Sequence, residues 1–419
     1  MFSILKILRQ RNFAFLWCGQ VISQFGDRLT QMALIGLVYR LEPGSSLQLA
    51  KMLSLAIIPV FLVSPVAGVY VDRWDKRKTM YISDFVRGVL IITIPFLMDT
   101  HSLLPIYTVI FLSFCMGRFF IPAKMAIIPE LVQGKSILLA NSLFSVTAMI
   151  AAVIGFGLGG IIVERWGTKS AFLIDACTFF ISAVCVLSMK FVERKYFHAR
   201  DILDLGRDAI LKVKNSFIYE TKEGIKYILK SKETLYAAKI MFVLFASIGS
   251  LYTVFIVFLQ RTLSTITMDI GWLAVGSGAG LFFGSLVYGK LGAKLPVKKV
   301  INIAMFLASA FLCLFVYALS ANPNKTFAFY SCCFLGVLIS PIVIAVNTLI
   351  HKESENNFWG RIFSYIEVVI HLAFLAFMFT ASYLAERTTP FTVIVGVGIL
   401  ILAFSTINII TNLTTYRKR

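Results

Sequence analysis

Twelve long apolar stretches follow one another along this 419-residue chain, and its lysines and arginines crowd into every second gap between them. A helix needs about 20 predominantly apolar residues to cross a bilayer. Uncharged runs on that scale are Met52 to Val71, Ser136 to Val163, Ile240 to Gln260, Ile270 to Gly289 and Thr326 to Ile350. In lipid every backbone N–H and C=O must be satisfied within the segment itself, which selects helices for runs of this kind. The chain therefore reads as an all-α membrane protein with twelve transmembrane helices.

The spans drawn from the pattern are 12–40, 47–71, 79–98, 102–123, 136–163 and 168–190, then 234–261, 269–290, 297–320, 326–350, 359–385 and 389–414. The net charge of +19 would suit a nucleic-acid binder, yet the 40 basic residues form no basic folded module and lie mostly on one side of the predicted spans. They report topology instead, and the positive-inside rule puts both termini in the cytoplasm. Hydrophobic content of 58% against 15% charged residues agrees with a lipid-embedded chain. The first apolar run continues past Gly26 into Asp27 and Arg28 without a small-residue cleavage site, so it reads as an uncleaved signal-anchor. All seven cysteines fall inside apolar segments, as small packing residues rather than disulfide or metal ligands. No metal or cofactor is expected.

One long polar segment, 191–233, divides the chain into a first bundle (1–190) and a second (234–419). Its apolar residues Phe217, Ile225, Ile228 and Leu229 recur at helical spacing, which suggests an amphipathic helix on the cytoplasmic membrane surface. The halves echo each other: Gly117, Pro122 and Ala126 recur as Gly336, Pro341 and Ala345, each 219 residues later. Gly68 and Arg73 are echoed by Gly284 and Lys290. Two pseudo-symmetric six-helix bundles follow, the plan of many secondary transporters.

After the second span comes Gly68-Val-Tyr-Val-Asp72-Arg73-Trp-Asp75-Lys76-Arg77-Lys78. It closely resembles the signature loop of the major facilitator superfamily, Gly-x3-Asp-Arg-x2-Arg-Arg/Lys. A plain basic turn would explain the cations but not Gly68 or Asp72. The resemblance implies the major facilitator fold and a cytoplasmic gate in which Asp72 meets the N-terminal end of the eleventh helix, near Arg361. Asp84 and Arg87 would extend that charge network. The second half has Gly289 and Lys290 where the first has Asp72 and Arg73, so the latch is one-sided.

Within the superfamily the chain resembles the macrolide-efflux-like drug:proton antiporter branch, which includes siderophore exporters and is similar to lysophospholipid transporters. The stretches that carry this are Leu16-Trp-Cys-Gly-Gln-Val-Ile-Ser23, Phe25-Gly-Asp27, Phe120-Ile-Pro122-Ala123, Pro129-Glu-Leu-Val132 with Ala140-Asn141-Ser142, and Gly360-Arg361-Ile-Phe-Ser364. The resemblance implies a monomeric secondary transporter of the bacterial cytoplasmic membrane, moving an amphipathic small molecule against protons and bathed in membrane lipids. A lysophospholipid carrier of the same fold, marked by a lateral opening, is the alternative. A receptor or scaffold is the alternative of another class. No ATP-binding loop, His-Glu-x2-His motif or nucleophile with its base is present, so a pump or an enzyme is not expected.

Asp27 lies near the middle of the first span, where an ionised carboxylate costs about 2.5 to 3.5 kcal/mol on insertion scales unless solvated or paired. It is either a proton or cation site or one member of a fixed ion pair with Arg118 or another buried base. Asp175 is cavity-lining or paired, and Arg118 attracts an anionic substrate or neutralises an acid. Glu367 and His371 sit one helical turn apart on one face, sharing a proton or forming a polar helix contact. Gly155 and Gly159 form a close-packing pair. The glycine-rich antiporter motif they resemble normally carries a proline, which is absent here.

Overall fold

The computed structural model describes residues 7–71, 74–100, 102–132, 136–190, 232–292, 296–353 and 359–417. The expected amphipathic linker helix falls in 191–231, outside the described residues. Thirteen α-helices follow one another with no strand among the described residues: α1 (Arg11–Leu41), α2 (Ser46–Leu62), α3 (Ser64–Val71), α4 (Lys76–Leu97), α5 (Leu103–Leu131), α6 (Ser136–Trp166), α7 (Thr168–Leu187), α8 (Lys232–Leu263), α9 (Met268–Leu291), α10 (Val297–Ala321), α11 (Lys325–Glu353), α12 (Trp359–Arg387) and α13 (Pro390–Arg417).

They make twelve transmembrane helices. Among the described residues, nine continuous stretches are long and apolar enough to cross a membrane. One of them, Ser136–Leu187, contains both α6 and α7, joined through Gly167 alone. That residue has φ +85°, a left-handed turn that glycine adopts without a Cβ clash. The pair α2 and α3 supplies a further span, read from sequence as one uninterrupted helix. It breaks at Val63, two residues before Pro65, which has no backbone N–H to give to a helical bond. The last span is α1, 31 residues long and less apolar because it carries Gln20, Gln24, Asp27, Arg28 and Gln31.

The chain forms two compact units, Met1–Leu41 with Met52–Phe217, and Glu42–Lys51 with Ile218–Arg419. In the first, α1 packs on α6 and α7, α4 on α5 and α7, and α3 on α5. In the second, α8 packs on α12 and α13, α10 on α11 and α13, and α9 on α11. The five pairings correspond one for one, so each unit is a copy of the same six-span plan. Glu42–Lys51 belongs to the second unit through real bonds: Ser45 Oγ and Leu47 N–H both donate to Glu386 Oε1, at 2.5 and 3.1 Å, and Arg261 Nη2 donates to Gly44 O at 2.9 Å.

Lipid tails are as apolar as leucine, so helices in a bilayer associate through close packing rather than hydrophobic burial. The second unit uses glycine for this: a Cβ on Gly280 would stand 1.8 Å from Cys333 O, so α9 and α11 touch backbone to backbone. Large side chains point outward instead. Phe96, Leu104, Leu138 and Leu400 are each at least 70% exposed, a surface suited to lipid and not to water.

Candidate functional site

On α1, Gln20, Ser23, Asp27 and Thr30 recur at spacings of three and four and form one polar stripe. The other elements of the first unit present partners to it at successive levels. Lys124 on α5 donates Nζ to Gln20 Oε1 at 2.8 Å, and Gln24 donates to the same oxygen at 3.2 Å. Arg87 on α4 donates Nη2 to Asp27 Oδ1 at 2.6 Å. Thr30 donates Oγ1 to Asp175 Oδ2 on α7 at 2.5 Å. The stripe runs ten residues, about 15 Å along the axis at 1.5 Å per residue, through half the hydrocarbon thickness.

The Asp27–Arg87 pair is its centre. Arg87 places its guanidinium carbon 4.0 Å from the centroid of the Phe179 ring, so the cation is held on one side by a carboxylate and on the other by a π face. The two side chains differ in access: 11% of the Arg87 side chain is exposed and 32% of Asp27. An acid of this kind can meet a proton or solute while its partner stays enclosed.

Asp175 is fully buried and held by hydroxyls rather than a base. Thr178 Oγ1 lies 3.1 Å from its Oδ1, and Thr30 serves the other oxygen. α1 comes this close to α7 because position 26 has no side chain: a Cβ there would lie 2.0 Å from Thr178 Oγ1 and 2.2 Å from Asp175 Oδ1. Asp84, equally buried, accepts from Ser182 Oγ at 2.6 Å. Gly155 and Gly159 of α6 face Arg28, Leu29 and Met32, closing the opposite side of α1.

These positions reassort the residues picked out in sequence. Arg87, grouped there with the gate loop, reaches Asp27, and Asp27 takes Arg87 rather than Arg118 as its base. Among the described residues, Arg118 makes one hydrogen bond, from Nη2 to Ala56 O at 3.5 Å. In the loop, Asp72 and Arg73 lie outside the described residues, and Gly68 has open space where a Cβ would project. Asp75 caps α4 by accepting from Lys78 N–H at 2.9 Å, and Lys76 pairs with Glu130. Arg77 donates to the last carbonyls of α7, Val186 O at 3.2 Å and Leu187 O, where a cation also meets the negative end of the helix dipole. The side chains of Arg361 and Glu367 lie outside the described residues. His371 is half-buried on α12 with its ring centre 6.3 Å from that of Phe245.

Sequence reading passed over Gln20, Thr30, Lys124, Thr178 and Ser182. A signal for two of them was present on α7: with Asp175, Thr178 and Ser182 repeat the same three-and-four spacing that links Gln20 to Thr30 on α1. Among the described residues no three His, Cys, Asp or Glu side chains come together as a metal group.

Three comparisons bear on this arrangement. The family model described as transmembrane secretion effector matches residues 2–416. Macrolide efflux protein A of Streptococcus pyogenes is 23% identical over 393 residues, covering 90% of both chains. The putative bacilysin exporter BacE of Bacillus subtilis is 25% identical over 374 residues, 86% of this chain and 85% of the relative. Among solved structures, a bacterial homologue of the iron transporter ferroportin in its inward-facing state aligns with a TM-score of 0.74 at 15% identity, covering 96% of this chain and 98% of that one. At that identity the match carries the fold.

Proposed function

Because this chain belongs to the transmembrane secretion effector family of the major facilitator superfamily, and is a bacterial integral membrane transporter, we propose that it exports an amphipathic small molecule in exchange for protons by alternating access. The observation that supports this most directly is the Asp27–Arg87 ion pair inside a membrane-spanning bundle, with the acid the more open of the two. Protonation of Asp27 removes one charge of the pair and with it the Coulombic attraction, which freezes or frees Arg87 according to the state of the acid. Inward proton movement supplies about 2.3 kcal/mol per charge per 100 mV of membrane potential. Glu367 and His371 take part as a second proton site, and Asp72 with Arg73, Arg77 and Lys78 latches the cytoplasmic face. The protein works as a monomer in the inner membrane with both termini in the cytoplasm, transporting its solute without chemical change.

Proteoliposomes with an imposed pH gradient test this reading, with amphipathic compounds screened against wild type and Asp27→Asn. The expected result is gradient-driven accumulation by wild type and none by the variant, with both proteins eluting as the same folded species. Equal accumulation by the two would remove Asp27 from the coupling.

A further inference from the structure

Arg118 stands on α5 next to Gly117, and a Cβ on Gly117 would lie 3.4 Å from the guanidinium carbon of Arg87. The backbone of α5 thus passes close to Arg87 at the residue before Arg118, and Arg118 lies within electrostatic reach of both Arg87 and Asp27. Their situations differ sharply. Arg87 is neutralised by the Asp27 carboxylate at 2.6 Å and stacked on Phe179. Among the described residues, Arg118 has no carboxylate within ion-pair distance and a hydrogen bond to Ala56 O at the 3.5 Å limit of such contacts; the Nε of each arginine is buried without a partner, so the difference between them lies in the carboxylate. The other two acids within reach of Arg87 are hydrogen-bonded to hydroxyls, Asp84 to Ser182 and Asp175 to Thr30 and Thr178.

An arginine is costly at this depth of a bilayer, and a guanidinium offers five donors in a planar fork that matches a carboxylate two bonds at a time. We propose that Arg118 is the recognition point for a carboxylate on the transported solute, so that the substrate class is an amphipathic anion or zwitterion with a free acid group. This rests on the transport reading above. Asp27 and Arg87 show the same chemistry one helix away: a carboxylate seated on a guanidinium beside an aromatic face. The solute's acid makes with Arg118 the contact that Asp27 makes with Arg87, and its apolar body lies along the bundle. Arg118 is thereby a specificity-determining residue and Asp27 a coupling residue.

The test is binding to the full-length protein in lipid nanodiscs, with empty nanodiscs subtracted and no gradient applied. The probes are a naphthylalanine-containing dipeptide with a free C-terminal carboxylate and the same dipeptide as its C-terminal amide. Wild type is expected to prefer the acid by about ten- to a hundredfold, the range of a charge-assisted hydrogen-bonded pair. Arg118→Gln is expected to bind acid and amide alike, and Arg118→Lys to keep a reduced preference for the acid. Both variants are checked by size exclusion and apparent Tm, and the lysine variant keeps the question decidable should the glutamine variant unfold. Equal affinity of wild type for the two probes, binding of neither, or an acid preference that survives Arg118→Gln overturns the assignment. Transport of the same probes in proteoliposomes separates the two readings: acid-selective binding without transport retains Arg118 and sinks the exporter, whereas gradient-driven export of amide and acid at equal rates sinks Arg118 alone.

Discussion

Gly26→Ala adds one methyl group at the tightest point of the first unit. Its Cβ would stand 2.0 Å from Thr178 Oγ1 and 2.2 Å from Asp175 Oδ1, where ordinary van der Waals contact begins at 3.4 Å. Either α1 backs away from α7 by about 1.4 Å or both side chains leave their rotamers, and overpacking of this kind costs about 1–3 kcal/mol. Either response also breaks a buried bond to Asp175, from Thr30 at 2.5 Å or from Thr178 at 3.1 Å. A buried polar group left unsatisfied adds about 1–3 kcal/mol. The expected loss is therefore about 2–6 kcal/mol, which for a chain of this size corresponds to a fall in apparent Tm of roughly 2–7 °C at a fixed scan rate. Gly396→Ala is the control: α13 has open space there, and alanine in a helix is favoured over glycine by about 1 kcal/mol. Thermal denaturation of both variants in the same detergent decides the matter. A Gly26→Ala protein as stable as wild type or as Gly396→Ala would refute the steric reasoning and the position assigned to Asp175.

The ion pair is open to a double-mutant cycle. Asp27→Asn and Arg87→Gln singly are each expected to destabilise by about 1–3 kcal/mol, and the double variant by less than their sum, because each single change strands the other charge. Additive losses in denaturation would mean that the two side chains do not interact. At the start of α4, Asp75→Ala removes the side chain that accepts from Lys78 N–H, and about 1 kcal/mol of capping is lost. Faster hydrogen exchange confined to Lys76–Thr79 is the expected signature, and unchanged exchange there would discount the cap.

The spans were legible in sequence because charge is excluded from lipid so strongly that long uncharged runs announce themselves. What periodicity could not reveal was which polar side chains meet. Asp27 and Arg87 are 60 residues apart on helices separated by a broken span, and nothing in either local pattern selects Arg87 over Arg118 as the partner. Arg87 was drawn toward the gate loop by its closeness in sequence to Asp75 and Arg77, whereas its helix carries it more than two turns away, to the level of Asp27. Asp175 reads from sequence as cavity-lining or paired, because an acid in lipid is costly unless it is solvated or held. Two threonines answer that need, one local at a three-residue spacing and one supplied by α1. The break between α2 and α3 was present as Pro59 and Pro65 and was hidden by the unbroken hydropathy around them.

The single-residue turn at Gly167 makes α6 and α7 a closed hairpin, and both its legs bear on α1: the glycines of α6 from one side, Asp175 and Thr178 of α7 from the other. A helix gripped by two arms of one short clip cannot tilt without carrying the clip along. Displacement of α1 on protonation would therefore be handed to α6 and α7 together, and a flexible insert after Gly167, by letting the arms move separately, would uncouple what is now a single mechanical part.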